Sequence, residues 1–189
     1  MTGGLLEDDA YFASVLAGVR AGEPWAAEVL FEQLHVRLLR FFRAREVRAA
    51  EDLVGEVWEH VAAGLEDFEG DWRGFRAWVF LIARRRAIDH TRRAVRCRTD
   101  PHDDVAFDGL EAVDQPEAEV AERDATSRAV AMVSRLLPED QAEVVLLRVL
   151  GDLEVAEVAA VMGRTENWVR VTQHRALRRL ADRLGSRKV

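Results

Sequence analysis

Leu30, Leu34, Leu38, Phe41 and Phe42 recur at helical spacing behind Pro24, a residue suited to a first helical turn, so residues 24–45 read as an amphipathic helix. Leu53, Val54, Val57, Trp58, Val61 and Leu65 make one broad apolar stripe over residues 49–65, with Asp52, Glu56, Glu59 and Ala63 off it. Gly70 and Gly74 then interrupt the pattern. Phe75, Trp78, Val79 and Ile82 follow at i, i+3, i+4 and i+7, which predicts a third helix over 75–93 whose aromatics are core. Residues 99–116, TDPHDDVAFDGLEAVDQP, keep no period and collect Asp, Gly and Pro, the composition of a linker.

Pro116 opens a helix to Leu137 with acids in its first turn, as the helix dipole favours. Pro138 starts another that ends before Gly151. Asp152 is placed to cap a short helix, LEVAEVAAVM, which stops at Gly163, a natural left-handed residue, and Thr165 is placed to cap the last helix. A short helix, a glycine turn and a longer helix form the helix-turn-helix pattern. The expected fold is therefore all-α. Two small helical domains, 1–98 and 117–189, are joined by an acidic linker at 99–116, and the second is a four-helix domain carrying the helix-turn-helix.

The formal net charge of −7 hides a block pattern. From Arg84 to Arg98 Asp89 is the only acid; from Asp100 to Asp124 Arg123 is the only base; from Arg164 to Lys188 bases dominate again. On the last helix, Val169, Thr172, Ala176, Leu177, Leu180 and Leu184 fall on one side at 100° per residue and are expected to pack, with Gln173 near that side. Asn167, Val171, His174, Arg175 and Arg178 point away, with Arg170 on the flank. Such a face suits a DNA major groove: arginine can bond guanine bidentately and valine can touch a thymine methyl. The other arginines can hold phosphates, which position without specifying.

Cys97 is the one cysteine, and no signal peptide is read, so a reducing cytoplasm is the expected compartment. No apolar run approaches the ~20 residues that span a bilayer, so no membrane insertion is expected. The histidines never pair with Cys97 at metal-ligand spacing, and no phosphate loop, nucleophile elbow or metal pair is present. Neither an enzyme nor a bound metal or cofactor is expected.

Taken together, AEDLVGEVWEHVAAGLEDFEG, FRAWVFLIARRRAIDHTRR and LLPEDQAEVVLLRVLGDLEVAEVAAVMGRTENWVRVTQHRALRRL resemble, in this order, the polymerase-binding helix, the −10 stretch and the −35 domain of extracytoplasmic-function (ECF) sigma factors of the sigma-70 family, with an actinobacterial-like ending. The resemblance implies a factor that binds core RNA polymerase and directs initiation by −35 recognition and −10 recognition and melting. It implies polymerase contacts at Asp52, Leu53, Glu56 and Val57 on the exposed side of the second helix. It assigns the single-stranded −10 element to Trp72, Arg76, Arg84, Arg85, Asp89, Arg92 and Arg93, where cations track a backbone and pockets take an unstacked base. Arg170, Val171, His174 and Arg175 match positions facing the −35 duplex, and Thr165, Asn167 and Arg178 complete that set. By resemblance only, an anti-sigma factor is a further partner.

The chain also departs from the pattern. Arg85 stands where many members have Asn, Leu81 where many have Arg, Gly55 where Gln is frequent, and Thr172 where some place Arg. Asn167-Trp168 replaces a Gly-small pair; Trp168 either packs beside the turn or gives its indole N–H to a phosphate, packing being favoured. The 18-residue spacer relaxes to ~21–25 Å, against ~70 Å between promoter elements, so the free chain is expected to be compact and to bind promoter DNA poorly until polymerase holds its halves apart. The alternative is a one-component helix-turn-helix regulator acting without replacing another sigma factor. That reading calls for a dimer, and no heptad seam is seen. A purely structural adaptor has no use for the arginine-bearing face.

Overall fold

The computed structural model describes residues 6–45, 49–99, 130 and 132–185. Among these residues seven helices are bounded, in order: α1 (Asp9–Arg20), α2 (Pro24–Ala44), α3 (Ala50–Gly64), α4 (Trp72–Thr99), α5 (Glu139–Val149), α6 (Val155–Met162) and α7 (Glu166–Gly185). A helical stretch over 132–136 precedes α5, and no strand occurs among the described residues. Most of the helix expected from Pro116, and the linker beyond Thr99, lie outside the described residues.

Helix α1 is absent from the periodicity reading, which begins at Pro24. Asp8 caps it by accepting the Tyr11 N–H at 2.9 Å, and Phe12, Val15 and Leu16 are its buried face. Arg20 ties its end to α3 and the following loop, donating to the carbonyls of Leu65 and Phe68. Helix α4 starts three residues before the expected Phe75, because Asp71 accepts the Gly74 N–H at 2.7 Å and so serves as its cap. Glycine in the first turn does not stop a helix whose N-terminus is capped.

The cap expected at Asp152 falls instead on Glu154, which forms a reciprocal capping box with Glu157. Asp152 adopts φ 54°, a left-handed conformation that aspartate tolerates better than most residues, and its carboxylate is turned toward Arg76. Gly163 ends α6 at φ 63° as expected. An added Cβ there meets nothing within 4 Å, so Gly163→Ala carries only the backbone penalty. It should lower stability by about 1 kcal/mol, read as a small shift in the urea midpoint at unchanged slope.

Helices α1–α4 enclose a core rich in Phe12, Leu34, Phe41, Phe42, Phe75 and Phe80. That apolar cluster runs on without a break into Leu147, Leu153, Val158 and Met162, because α6 packs on α4. A second cluster of Leu137, Ala142, Val145 and Ala176, flanked by Val133 and Leu180, joins α5 to α7. Val169, Thr172 and Ala176 are buried as expected, but Leu177 (52%) and Leu184 (45%) are exposed. The 20 residues of α7 outrun the 11 of α5 and the 8 of α6, so its far turns have little to pack against.

Candidate nucleic-acid interface

Helix α7 is held by its buried stripe and by its cap, in which Thr165 Oγ1 accepts the Trp168 N–H at 3.2 Å. Its opposite face is free: Thr165, Asn167, Arg170, Val171, His174, Arg175 and Arg178 are all exposed. Arg170 pairs with Glu166 one turn back at 2.6 Å, an exposed contact that a phosphate or base edge can displace readily. Trp168 is half-buried against the core with the Arg164 guanidinium 5.2 Å from its ring centre, so it packs, as favoured from the sequence.

The residues expected to meet a single strand on α4 divide in two. Arg85, Asp89, Arg92 and Arg93 are exposed. Trp72 and Arg76 are each only 4% exposed, so in this arrangement neither can touch DNA, contrary to expectation. Trp72 is packed between Phe12 of α1, at 5.6 Å, and Phe75, at 5.9 Å. Arg76 lies 5.8 Å from the Trp72 ring centre and donates to Asp152 at 2.6 Å. Arg84 is partly covered and sits 3.2 Å from Glu143. The family resemblance marked these positions as one strand-binding set; it could not show that a neighbouring helical body covers part of it.

On α3, Asp52 is exposed and Glu56 half-buried, the latter 3.5 Å from Arg86, which also bonds His60. Leu53 (4%) and Val57 (0%) are core residues, a correction to their expected place on the polymerase-facing side. They belong to the apolar stripe of the same helix, whose period puts them inside. Between α2 and α3 runs an apolar groove of about 730 Å³ lined by Phe31, His35, Glu51, Val54, Gly55, Trp58 and Val61, among others. Phe31 is 45% exposed and stacks on His35 at 4.1 Å, with Trp58 at 5.5 Å. A side chain at Gly55 would meet nothing within 4 Å, so this departure from Gln leaves the groove floor open. The sequence reading missed the groove, although Phe31 is a large aromatic lying off the Leu30, Leu34, Leu38 stripe.

Burial, and then the Arg43 guanidinium, push the His35 pKa below the ordinary imidazole value of 6.5. Arg43 also holds the Glu51 carboxyl below its usual range by donating to it at 2.5 Å. The fold thus favours neutral His35. Its contribution to stability is complete above pH 6.5 and is lost as pH falls from there toward the lower folded pKa. An NMR titration should place the His35 midpoint below 6.5, and Arg43→Gln should move it part of the way back.

Among the described residues no group of three His, Cys, Asp or Glu side chains is gathered as a metal site requires, and no helix is long and apolar enough to cross a membrane.

Two family models match the chain: sigma-70 region 2 over residues 30–97 and sigma-70 region 4 over residues 127–180. The ECF RNA polymerase sigma factor BldN of Streptomyces coelicolor is 33% identical over 176 residues, covering 92% of this chain and 66% of BldN's own length. The ECF RNA polymerase sigma factor SigD of Mycobacterium tuberculosis is 32% identical over 177 residues, covering 90% of this chain and 82% of SigD. Among solved structures, that of CnrH in complex with the cytosolic domain of CnrY matches with a TM-score of 0.62 at 23% identity, over 91% of this chain and 96% of the matched one, a likeness of fold.

Proposed function

Because the chain belongs to the ECF RNA polymerase sigma factors, we propose that it binds core polymerase in the cytoplasm and directs promoter-specific initiation through a division of labour between its two helical bodies. Members of this family are initiation factors rather than enzymes. Residues 1–98 take polymerase and the −10 element, residues 117–189 take the −35 element, and residues 99–116 connect them.

The observation that carries this reading is the free outer face of α7, in which arginines, an amide, an imidazole and one valine stand behind a capped helix-turn-helix. In a −35 major groove, Arg170, Val171, His174 and Arg175 reach base edges. Thr165, Asn167 and Arg178 hold the flanking phosphates. On α4, Arg85, Arg92 and Arg93 track the backbone of the non-template −10 strand, with Asp89 beside them. Arg76 and Arg84 join them only once Asp152 and Glu143 withdraw, and Trp72 only if the packing around it loosens.

Asp52 and Glu56 contact polymerase, and the Phe31–Trp58 groove between α2 and α3 takes an apolar side chain from the same partner. Leu53 and Val57 support that surface from within. An anti-sigma factor would act by covering the same groove.

Run-off transcription with core polymerase on a promoter library tests the reading. Initiation should require both proteins and should select one −35/−10 pair. Absence of polymerase-dependent initiation on every template overturns it.

A further inference from the structure

Arg164 stands in the turn between α6 and α7, and its backbone is fixed from both sides. Its N–H donates to the Ala159 carbonyl at 2.9 Å, behind the left-handed Gly163, and the next residue, Thr165, caps α7. Arg164 is exposed, and its guanidinium carbon lies 5.2 Å from the centre of the Trp168 ring, within cation–π range. Trp168 is fixed in turn. Its backbone N–H is taken by Thr165 Oγ1, and its half-buried ring packs on the core.

The kind of contact matters. Arg170 is paired with Glu166 at 2.6 Å, so a phosphate has to displace a carboxylate there. Arg164 makes no ion pair among the described residues, and Glu166, the acid nearest to it in sequence, is the one held by Arg170. A ring face restrains a guanidinium without using its N–H donors or cancelling its charge. Arg164 therefore keeps its full charge and its donors in a restrained position beside the entry to α7. A planar fork so held suits phosphate oxygens, and less freedom is lost when it binds. The small residue that the sigma-factor pattern has at position 168 offers no such face, so the arrangement comes with this chain's Asn167-Trp168 departure.

We propose that Arg164 is a phosphate contact of the −35 duplex and that Trp168 is its positioning residue. The proposal rests on the reading of α7 as the helix that enters the −35 groove. A recognition helix meets base edges with its N-terminal residues, so the turn before it lies against the backbone that borders the groove. A contact there carries no sequence information. It strengthens binding alike at every −35 sequence and fixes the register in which Arg170, Val171, His174 and Arg175 meet the bases.

Holoenzyme assembled from core polymerase and the full chain, titrated with labelled duplex fragments carrying a randomised −35 element at about 50 to 200 mM salt, tests both roles. Arg164→Gln should weaken binding equally across −35 sequences and lower the slope of log affinity against log salt by about 0.9. Its cost should therefore shrink roughly eightfold for each tenfold rise in salt. Trp168→Leu, which removes the ring face, should weaken binding by roughly two- to fivefold, and Trp168→Phe, which keeps one, by less. In the Arg164→Gln background Trp168→Leu should cost nothing further, because the group it positions is gone. Far-UV circular dichroism checks that each variant keeps its helix content.

An unchanged salt slope in Arg164→Gln, or a loss confined to particular −35 sequences, overturns the phosphate contact. An undiminished Trp168→Leu effect in the Arg164→Gln background overturns the positioning role. Arg175→Ala in the same titration separates the proposal from the reading beneath it. If Arg164→Gln lowers the slope while Arg175→Ala changes preference at no −35 position, the phosphate contact stands and base reading by α7 falls.

Discussion

Phe75→Ala will lower the stability of the folded chain by about 3–5 kcal/mol, a large part of the ~5–15 kcal/mol that holds a domain together. Phe75 is fully buried and is the hub of the N-terminal aromatic cluster, with ring centres 5.7 Å from Phe12, 5.3 Å from Phe68, 5.9 Å from Trp72 and 5.8 Å from Trp78. No single neighbour can swing in to fill the space, because each is fixed from another side. Phe12 belongs to α1, Phe68 to the loop before α4, and Trp78 closes against Gly64, where an added Cβ would lie 2.8 Å from its ring. A cavity then stays, and its cost adds to the lost transfer energy. Chemical denaturation followed by circular dichroism should show the midpoint collapse. A loss below about 1 kcal/mol would mean that the cluster repacks.

Arg175→Ala will relax base preference at one −35 position by about 1–3 kcal/mol, while Arg93→Ala will weaken promoter opening more evenly across sequences. Arg175 is exposed in the middle of the α7 face, one residue beyond His174 and one turn beyond Val171. In the proposed reading a guanidinium there bonds a guanine edge bidentately, a contact that carries sequence information. Arg93 lies on the exposed far half of α4, where in the proposed reading a cation meets the strand backbone and carries none. Selection from a randomised −35 library, scored position by position, separates the two behaviours. Uniform weakening by Arg175→Ala would put that residue on a phosphate instead.

Local signals carried most of the fold. The stripes of α2 and α3, the i, i+3, i+4, i+7 run of α4, and the Gly163 and Thr165 punctuation around α7 are each set by residues within a few turns of one another. Helix α1 escaped because its apolar face is only Phe12, Val15 and Leu16, one turn of signal behind a single capping aspartate. Leu177 and Leu184 were misplaced because periodicity gives the direction of a side chain but not the length of the helix it meets.

The site was legible in the same uneven way. The free face of α7 follows from its own period. The burial of Arg76 by Asp152, and of Arg84 and Arg45 by Glu143, joins residues 76 and 98 positions apart in the hydrogen-bonded pairs, which no local pattern encodes. Leu53 and Val57 show the opposite case: periodicity placed them inside, the motif match placed them outside, and the packing follows the periodicity.

Site-specific photocrosslinking in the assembled initiation complex addresses the division of labour most directly. Photoreactive residues at His174 on α7 and at Arg92 on α4 are both exposed and report on different bodies. In one complex with core polymerase and promoter DNA, position 174 should crosslink to the −35 duplex and position 92 to the non-template strand of the −10 element. Crosslinking of both positions to the same element, or of neither to DNA, would contradict it.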